Sequence, residues 1–105
     1  MRIKTASLFE RTFEDLLSCG HKFYSNKTIK NLYARYKECR LILLDNPNFG
    51  QLEPLLEGLH LEYRRIFIQP YFKIIYTINN DEIVLVDIWD TRQSPINLRG
   101  RIDAV

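Results

Sequence analysis

Cysteine and histidine are scarce in this sequence, with two of each in 105 residues. Two cysteines cannot form the disulfide framework of a small secreted domain, and Cys19 and Cys39 are expected to be reduced and partly buried. Together with His21 and His60 they match no common zinc spacing, so neither a metal nor a cofactor is expected. No apolar run approaches the roughly 20 residues that span a bilayer. The opening Met1–Thr5 is basic but lacks the apolar segment of a signal peptide, which points to a cytoplasmic chain with no membrane partner. A large charge of one sign is also missing. The net charge of +2 excludes a steering field over the whole surface, although basic residues dominate from Arg2 to Arg40. Gly-x-Ser-x-Gly, P-loop, dinucleotide and HExxH motifs are all absent. Asp87 and Asp90 are close in sequence, but the period of two in a strand puts them on opposite faces, which disfavours a two-metal nuclease.

What the sequence does have is a core. Hydrophobic residues make up 46% of the chain, enough for one domain spanning residues 1–105. Arg2 to Leu8 suggests a short first strand. Phe9, Phe13, Leu16 and Leu17 then recur at helical spacing, with Gly20 as a stop. Ser25 or Asn26 suits the N-cap of a second helix, whose stripe runs through Ile29, Leu32, Tyr33, Tyr36, Cys39, Leu43 and Leu44. That helix should end near Asn46, because Pro47 disfavours helix in the residue before it. The two segments read as a helical hairpin. Pro47-Asn48-Phe49-Gly50 follows as a turn, and Leu52, Leu55, Leu56 and Leu59 form a linking apolar cluster that Gly58 ends.

From Tyr63 to Pro95 the chain offers three strand-like runs in succession. The first breaks at Gln69-Pro70, where proline calls for a turn or bulge. Asn79-Asn80-Asp81 signals the next hairpin, because these side chains tolerate positive φ. In the second run Phe72, Ile74, Tyr76 and Ile78 share a face opposite Tyr71, Lys73, Ile75 and Thr77. In the third, strict alternation puts Val84, Val86 and Ile88 opposite Ile83, Leu85, Asp87 and Trp89. After Pro95 the tail is polar and reads as a last short strand or a flexible end. The expected fold class is α+β: an N-terminal helical hairpin packed on a small antiparallel β-sheet.

Cations interrupt the apolar pattern of these strands. Arg65 and Lys73 fall on neighbouring strands and Arg92 follows the third. Converging, they would form a metal-free catalytic site for a phosphodiester, with arginine gripping phosphate oxygens and a lysine among arginines tuned towards a base. Arg64, Tyr71, Lys37 and Arg40 are the candidate nucleic-acid-binding residues, with Tyr71 able to stack on a base. A bulge at Gln69-Pro70 leaves open whether Arg64 or Arg65 faces the site. The plainer alternative makes these cations a solvated outer face, or cross-strand partners of acids such as Glu62 and Asp87.

The ordered set Tyr63-Arg64-Arg65, Phe72-Lys73-Ile74-Ile75-Tyr76, Ile83–Ile88 and Asp90-Thr91-Arg92-Gln93-Ser94-Pro95 resembles the RelE/ParE toxin superfamily. The helical pair and the Pro47–Gly50 turn fit the same pattern. The resemblance implies a bacterial type II toxin with a cognate antitoxin as partner, which wraps it with an extended segment and a helix. The RelE branch cuts mRNA on the ribosome without metal, whereas the ParE branch poisons DNA gyrase and cuts nothing. By position, Arg65, Lys73 and Arg92 match the basic site of the cleaving branch, with Lys73 where many relatives carry arginine. Some cleaving members carry a histidine or tyrosine near the C-terminus, and Gln93–Val105 has neither. The Asp-x-Arg-x-x-Pro ending is closer to the non-cleaving branch. A toxin-like fold that survives as an inactive interaction partner is the third implied function.

Overall fold

The computed structural model describes residues 1–103. Strand β1 (Arg2–Thr5) leads into helix α1 (Ser7–Cys19), which a 3-10 turn at Gly20–Lys22 ends. Helix α2 (Asn26–Asp45) begins where its cap predicts: the Ser25 hydroxyl accepts the Thr28 N–H at 3.1 Å. A short β2 (Gln51–Leu52) and a 3-10 turn at Pro54–Leu56 precede β3 (Tyr63–Gln69), β4 (Phe72–Asn79) and β5 (Glu82–Asp90). Asn80 supplies the positive φ of the β4–β5 hairpin, at 56°.

The strands form one sheet in the order β1-β5-β4-β3-β2. Strands β2 to β5 are antiparallel to their neighbours, as the turn chemistry predicts, but β1 runs parallel to β5, with Ile3 beside Ile83 and Thr5 beside Leu85. The sheet is therefore mixed. The first strand also stops at Thr5 rather than running to Leu8, which belongs to α1 and is buried.

Helices α1 and α2 cover one face. Phe9, Phe13, Leu32, Cys39 and Leu43 pack there against Ile66, Ile74, Tyr76, Leu85 and Ile88. That set shows where strict alternation fails. The β4–β5 register shifts between Ile75 and Tyr76, leaving Val86 as an extra residue. The bulge lets Leu85 and Ile88, three positions apart, face the same core.

The tail is neither a last strand nor a flexible end as far as Asp103. Pro95–Asp103 forms helix α3, which buries Leu98 and Ile102 on the opposite face of the sheet, against Trp89, Ile75, Val86, Tyr63 and Leu56. Ala104 and Val105, the end of the expected tail, lie outside the described residues. The sheet is thus apolar on both sides, which is why β4 and β5 read as near-continuous hydrophobic runs. Among the described residues no helix is long and apolar enough to cross a membrane.

Gly50 locks the link to the sheet. Its N–H donates to the Tyr76 hydroxyl at 2.8 Å, and that hydroxyl donates to the Pro47 carbonyl at 2.8 Å. A Cβ here would lie 2.5 Å from the Arg65 carbonyl oxygen and 2.6 Å from the Tyr76 hydroxyl, so only glycine fits.

Candidate functional site

Alternation places Arg65 and Lys73 on the α3 side of the sheet, and the link between β2 and β3 folds over them. What meets them is a carboxylate. Glu53, whose side chain is fully buried, accepts from Lys73 Nζ with Oε1 and from Arg65 Nη1 with Oε2 at 3.3 Å. Its Oε2 also accepts the Leu55 N–H at 3.4 Å, which caps the 3-10 turn. The Lys73 side chain is 4% exposed and that of Arg65 is 26% exposed. An uncompensated charge so deep would be costly, so Glu53 and Lys73 require each other. The expected crowding of a lysine by arginines is therefore replaced by pairing to an acid. The plainer reading, in which these cations partner acids, thus holds in kind: Arg64 lies beside Glu62 as named there, while Arg65 and Lys73 meet Glu53.

Glu53 lies at a boundary. Beyond it opens a cavity of about 500 Å³, lined also by Leu56, Gly58, His60, Glu62 and Tyr63. Sequence reasoning missed Glu53. The only signal was an acid set among apolar residues in Leu52-Glu53-Pro54-Leu55-Leu56, and it does not say which cation the acid will meet.

Arg92 belongs to a second cluster. Its Nε and Nη2 donate to Asp90 Oδ1 and Oδ2 at 3.1 and 2.8 Å, a bidentate fork. Its guanidinium lies 4.6 Å from the Tyr71 ring centroid and 5.7 Å from that of Tyr24, and the Tyr24 hydroxyl donates to Asp90 Oδ2 at 2.5 Å. Burial pushes the Asp90 carboxyl up, but the hydrogen bonds from Arg92 and Tyr24 together outweigh it and hold it at about 2. Phe72, the strand partner of Asp90, packs in the core under α1 and α2, so this cluster lies at the helical-hairpin side of the strand ends.

The remaining candidates are dispersed. Arg64 donates to the Gly50 carbonyl at 2.8 Å and lies 3.7 Å from Glu62. Lys37 sits over the Tyr33 ring at 4.9 Å, and Arg40 donates to the Tyr36 hydroxyl at 2.9 Å, both on α2. The structure thus brings Arg65 and Lys73 together through Glu53, and Tyr71 together with Arg92. Lys37 and Arg40 are in the helical layer, across the sheet from Glu53. Asp87 and Asp90 are separated as expected, since Asp87 turns to α3 and accepts from Arg101 at 3.0 Å. Its Oδ2 has no partner among the described residues, and burial pushes its carboxyl up to about 6.

No protein-family model matches this chain, and no curated protein sequence matches it. Solved structures do. An archaeal RelE–RelB complex from Pyrococcus horikoshii is 17% identical, with a TM-score of 0.58 over 89% of this chain and 97% of that one. A copper-bound mutant toxin from Helicobacter pylori is 18% identical, with a TM-score of 0.57 over 88% and 96%. The DinJ–YafQ complex of E. coli gives 14% identity and a TM-score of 0.56 over 86% and 92%. Identities this low speak to architecture, and the architecture agrees over nearly the whole of each chain: this protein has a RelE-like fold.

Proposed function

We propose that this chain, acting as a single domain, is the toxin of a type II toxin–antitoxin pair. In this reading it works in the cytoplasm, arrests growth by cutting mRNA on the ribosome, and is neutralised by a cognate antitoxin. The RelE-like fold supports the toxin role. The buried acid–base pair of Glu53 and Lys73, with Arg65 beside it and a cavity next to it, carries the chemistry. RNA brings its own nucleophile, the 2′-hydroxyl, so no metal-activated water is required. Glu53 takes the 2′-hydroxyl proton as that oxygen attacks the adjacent phosphorus. Arg65 stabilises the charge on the pentacoordinate phosphorus, and Lys73 gives a proton to the departing 5′-oxygen. The products are a 2′,3′-cyclic phosphate and a 5′-hydroxyl. Arg92 and Tyr71, with Arg64, Lys37 and Arg40 further out, hold the strand and its ribosomal surroundings.

The burial of Lys73 and Glu53 favours a second reading, ParE-like inhibition of DNA gyrase, because a binding inhibitor needs no acid–base group open to substrate. One experiment separates the two. The protein is expressed without an antitoxin, and mRNA 5′ ends and gyrase–DNA adducts are mapped in parallel. New mRNA ends at codon positions, lost with Glu53→Gln and Arg65→Ala, are the expected result. Trapped gyrase adducts with intact messages would replace it with the gyrase reading, and unchanged growth with neither lesion would leave an inactive interaction protein.

A further inference from the structure

Tyr24, in the turn between α1 and α2, is held from three sides. Its N–H donates to the Gly20 carbonyl at 2.8 Å, and its ring meets that of Phe72 edge-on at 5.3 Å. Its hydroxyl crosses to the end of β5 and donates to Asp90. Phe72 is buried in the core beneath the helices, so packing fixes the ring and leaves the hydroxyl as an addition to it. Burial, with the Asp90 carboxylate beside it, pushes the Tyr24 phenol up, so the hydroxyl keeps its proton and remains a donor through the neutral range.

Asp90 is saturated by its neighbours. Oδ1 accepts from the Arg92 backbone N–H at 2.9 Å and from Nε, while Oδ2 accepts from Nη2 and from Tyr24. With its roughly four lone-pair sites filled, the carboxylate has none to spare for a substrate proton, and it holds an arginine instead. Arg92 Nη1 has no hydrogen-bond partner among the described residues, and the Arg92 side chain is 54% exposed. So exposed a pair contributes little to stability, and fixing a long side chain costs conformational freedom. The result is a guanidinium with one edge locked, aromatic rings beside it, and its other edge open.

We propose that Tyr24 is a positioning residue, which through Asp90 holds Arg92 in the orientation that grips an RNA phosphate. The inference rests on the reading that Arg92 holds RNA while the chemistry takes place at Glu53 and Lys73. Tyr24 itself touches neither the RNA nor the reacting atoms. An unrestrained arginine loses side-chain freedom as it closes on a phosphate. Arg92, fixed between Tyr71 and Tyr24, has lost that freedom on folding, so more of the contact appears as affinity. Without the Tyr24 hydroxyl, Oδ2 keeps only Nη2, and the fork is freer to turn towards water. Arg92 lies on the helical-hairpin side and Glu53 across the sheet, so the effect falls on holding RNA and not on the chemical step.

The test measures cleavage rates against the concentration of mRNA-programmed ribosomes, for the parent and for Tyr24→Phe, which keeps the ring and loses the hydroxyl. KM is expected to rise about ten-fold, the scale of one hydrogen bond to a charged group, with kcat and the thermal midpoint nearly unchanged. A tie that serves only the fold would move the midpoint and leave KM alone. In an Asp90→Ala background, where the fork is already gone, Tyr24→Phe should add nothing. Asp90→Asn, which keeps the shape of the side chain, replaces either variant should it fail to fold, and should raise KM alike. Binding of a labelled single-stranded RNA and of vacant ribosomes then locates the phosphate. Weakening of the first assigns it to the message, and weakening of the second to ribosomal RNA. An unchanged KM would overturn the inference and leave the cleavage reading intact, as would a Tyr24→Phe effect that persists without Asp90. A parent that cuts no message would overturn that reading, and the inference with it.

Discussion

Removing the Glu53 carboxylate would leave the Lys73 ammonium in a site where the side chain retains 4% exposure. Glu53→Ala is therefore expected to cost about 3–5 kcal/mol in urea unfolding, the penalty for stranding a buried charge. The paired change Glu53→Leu with Lys73→Met should be nearly neutral or stabilising, since the two desolvation costs vanish together. Arg65, being partly exposed, can turn to water and softens the single variant only slightly. Asp87 gives a pH signature of the opposite sense to Asp90. Its folded carboxyl titrates at about 6 against an ordinary 3.8. On acidification the folded state takes up this proton before the unfolded state does, so the contribution of Asp87 rises as pH falls from about 6 to about 4. The whole step is about 3 kcal/mol. Asp90, held at about 2, contributes stability that is present above the unfolded value of 3.8 and lost as pH falls towards 2. Thermal unfolding of Asp87→Asn across pH 4–6 should lack the slope seen in the parent, while the loss at lower pH remains. The partnership of Glu53 with Lys73 was not legible beforehand, because the two are joined by folding and not by a local pattern; the sequence marked Glu53 only as an acid among apolar neighbours.

Elements with strong local signals were legible. Helix α2 starts after Ser25 and ends at Asp45, because a hydroxyl cap and a proline mark its limits. The β4–β5 hairpin turns at Asn80 for an equally local reason. Helix α3 was not legible. Gly100 sits in its middle, Ile96 points to solvent at 75% exposure, and only Leu98 and Ile102, at i and i+4, mark its buried side. Those two residues nevertheless hold it. Leu98→Ala should cost about 2–5 kcal/mol and shift the emission of Trp89, the sole tryptophan, towards the red. Ile96→Ala should change stability by no more than about 0.5 kcal/mol. Cutting the chain after Pro95 would therefore expose the core beneath Trp89, and loss of function in such a truncation would report on folding before it reported on gyrase. The β5 bulge escaped notice because Val86 is as apolar as its neighbours, so the hydrophobic pattern alone could not mark the skipped position.

At the scale of the molecule, the sheet separates two surfaces with different chemistry. One carries the Glu53–Lys73–Arg65 cluster beneath α3 and the link. The other carries α2 with its basic side chains and the Tyr24–Asp90–Arg92 cluster. A single catalytic face converging on Arg65, Lys73 and Arg92 was expected from strand order, but strand order alone does not say on which side of its strand end a residue such as Arg92 emerges. The parallel pairing of β1 with β5 was similarly invisible, since nothing local distinguishes a parallel edge strand from an antiparallel one. That pairing has a consequence during synthesis. Arg2 to Thr5 are made well before their partners, Glu82 to Leu85, with both helices of the hairpin and three other strands between them. While the ribosome translates the residues between them, β1 has no strand to join, and the core that Ile83, Leu85 and Ile88 complete is still missing them. A nascent chain of this protein therefore cannot close its sheet until β5 has been made, and one terminated before β5 never does. Any activity that depends on the closed sheet then appears only after β5 has left the ribosome, so a partner made alongside has the time taken to translate everything from β1 to β5 in which to arrive.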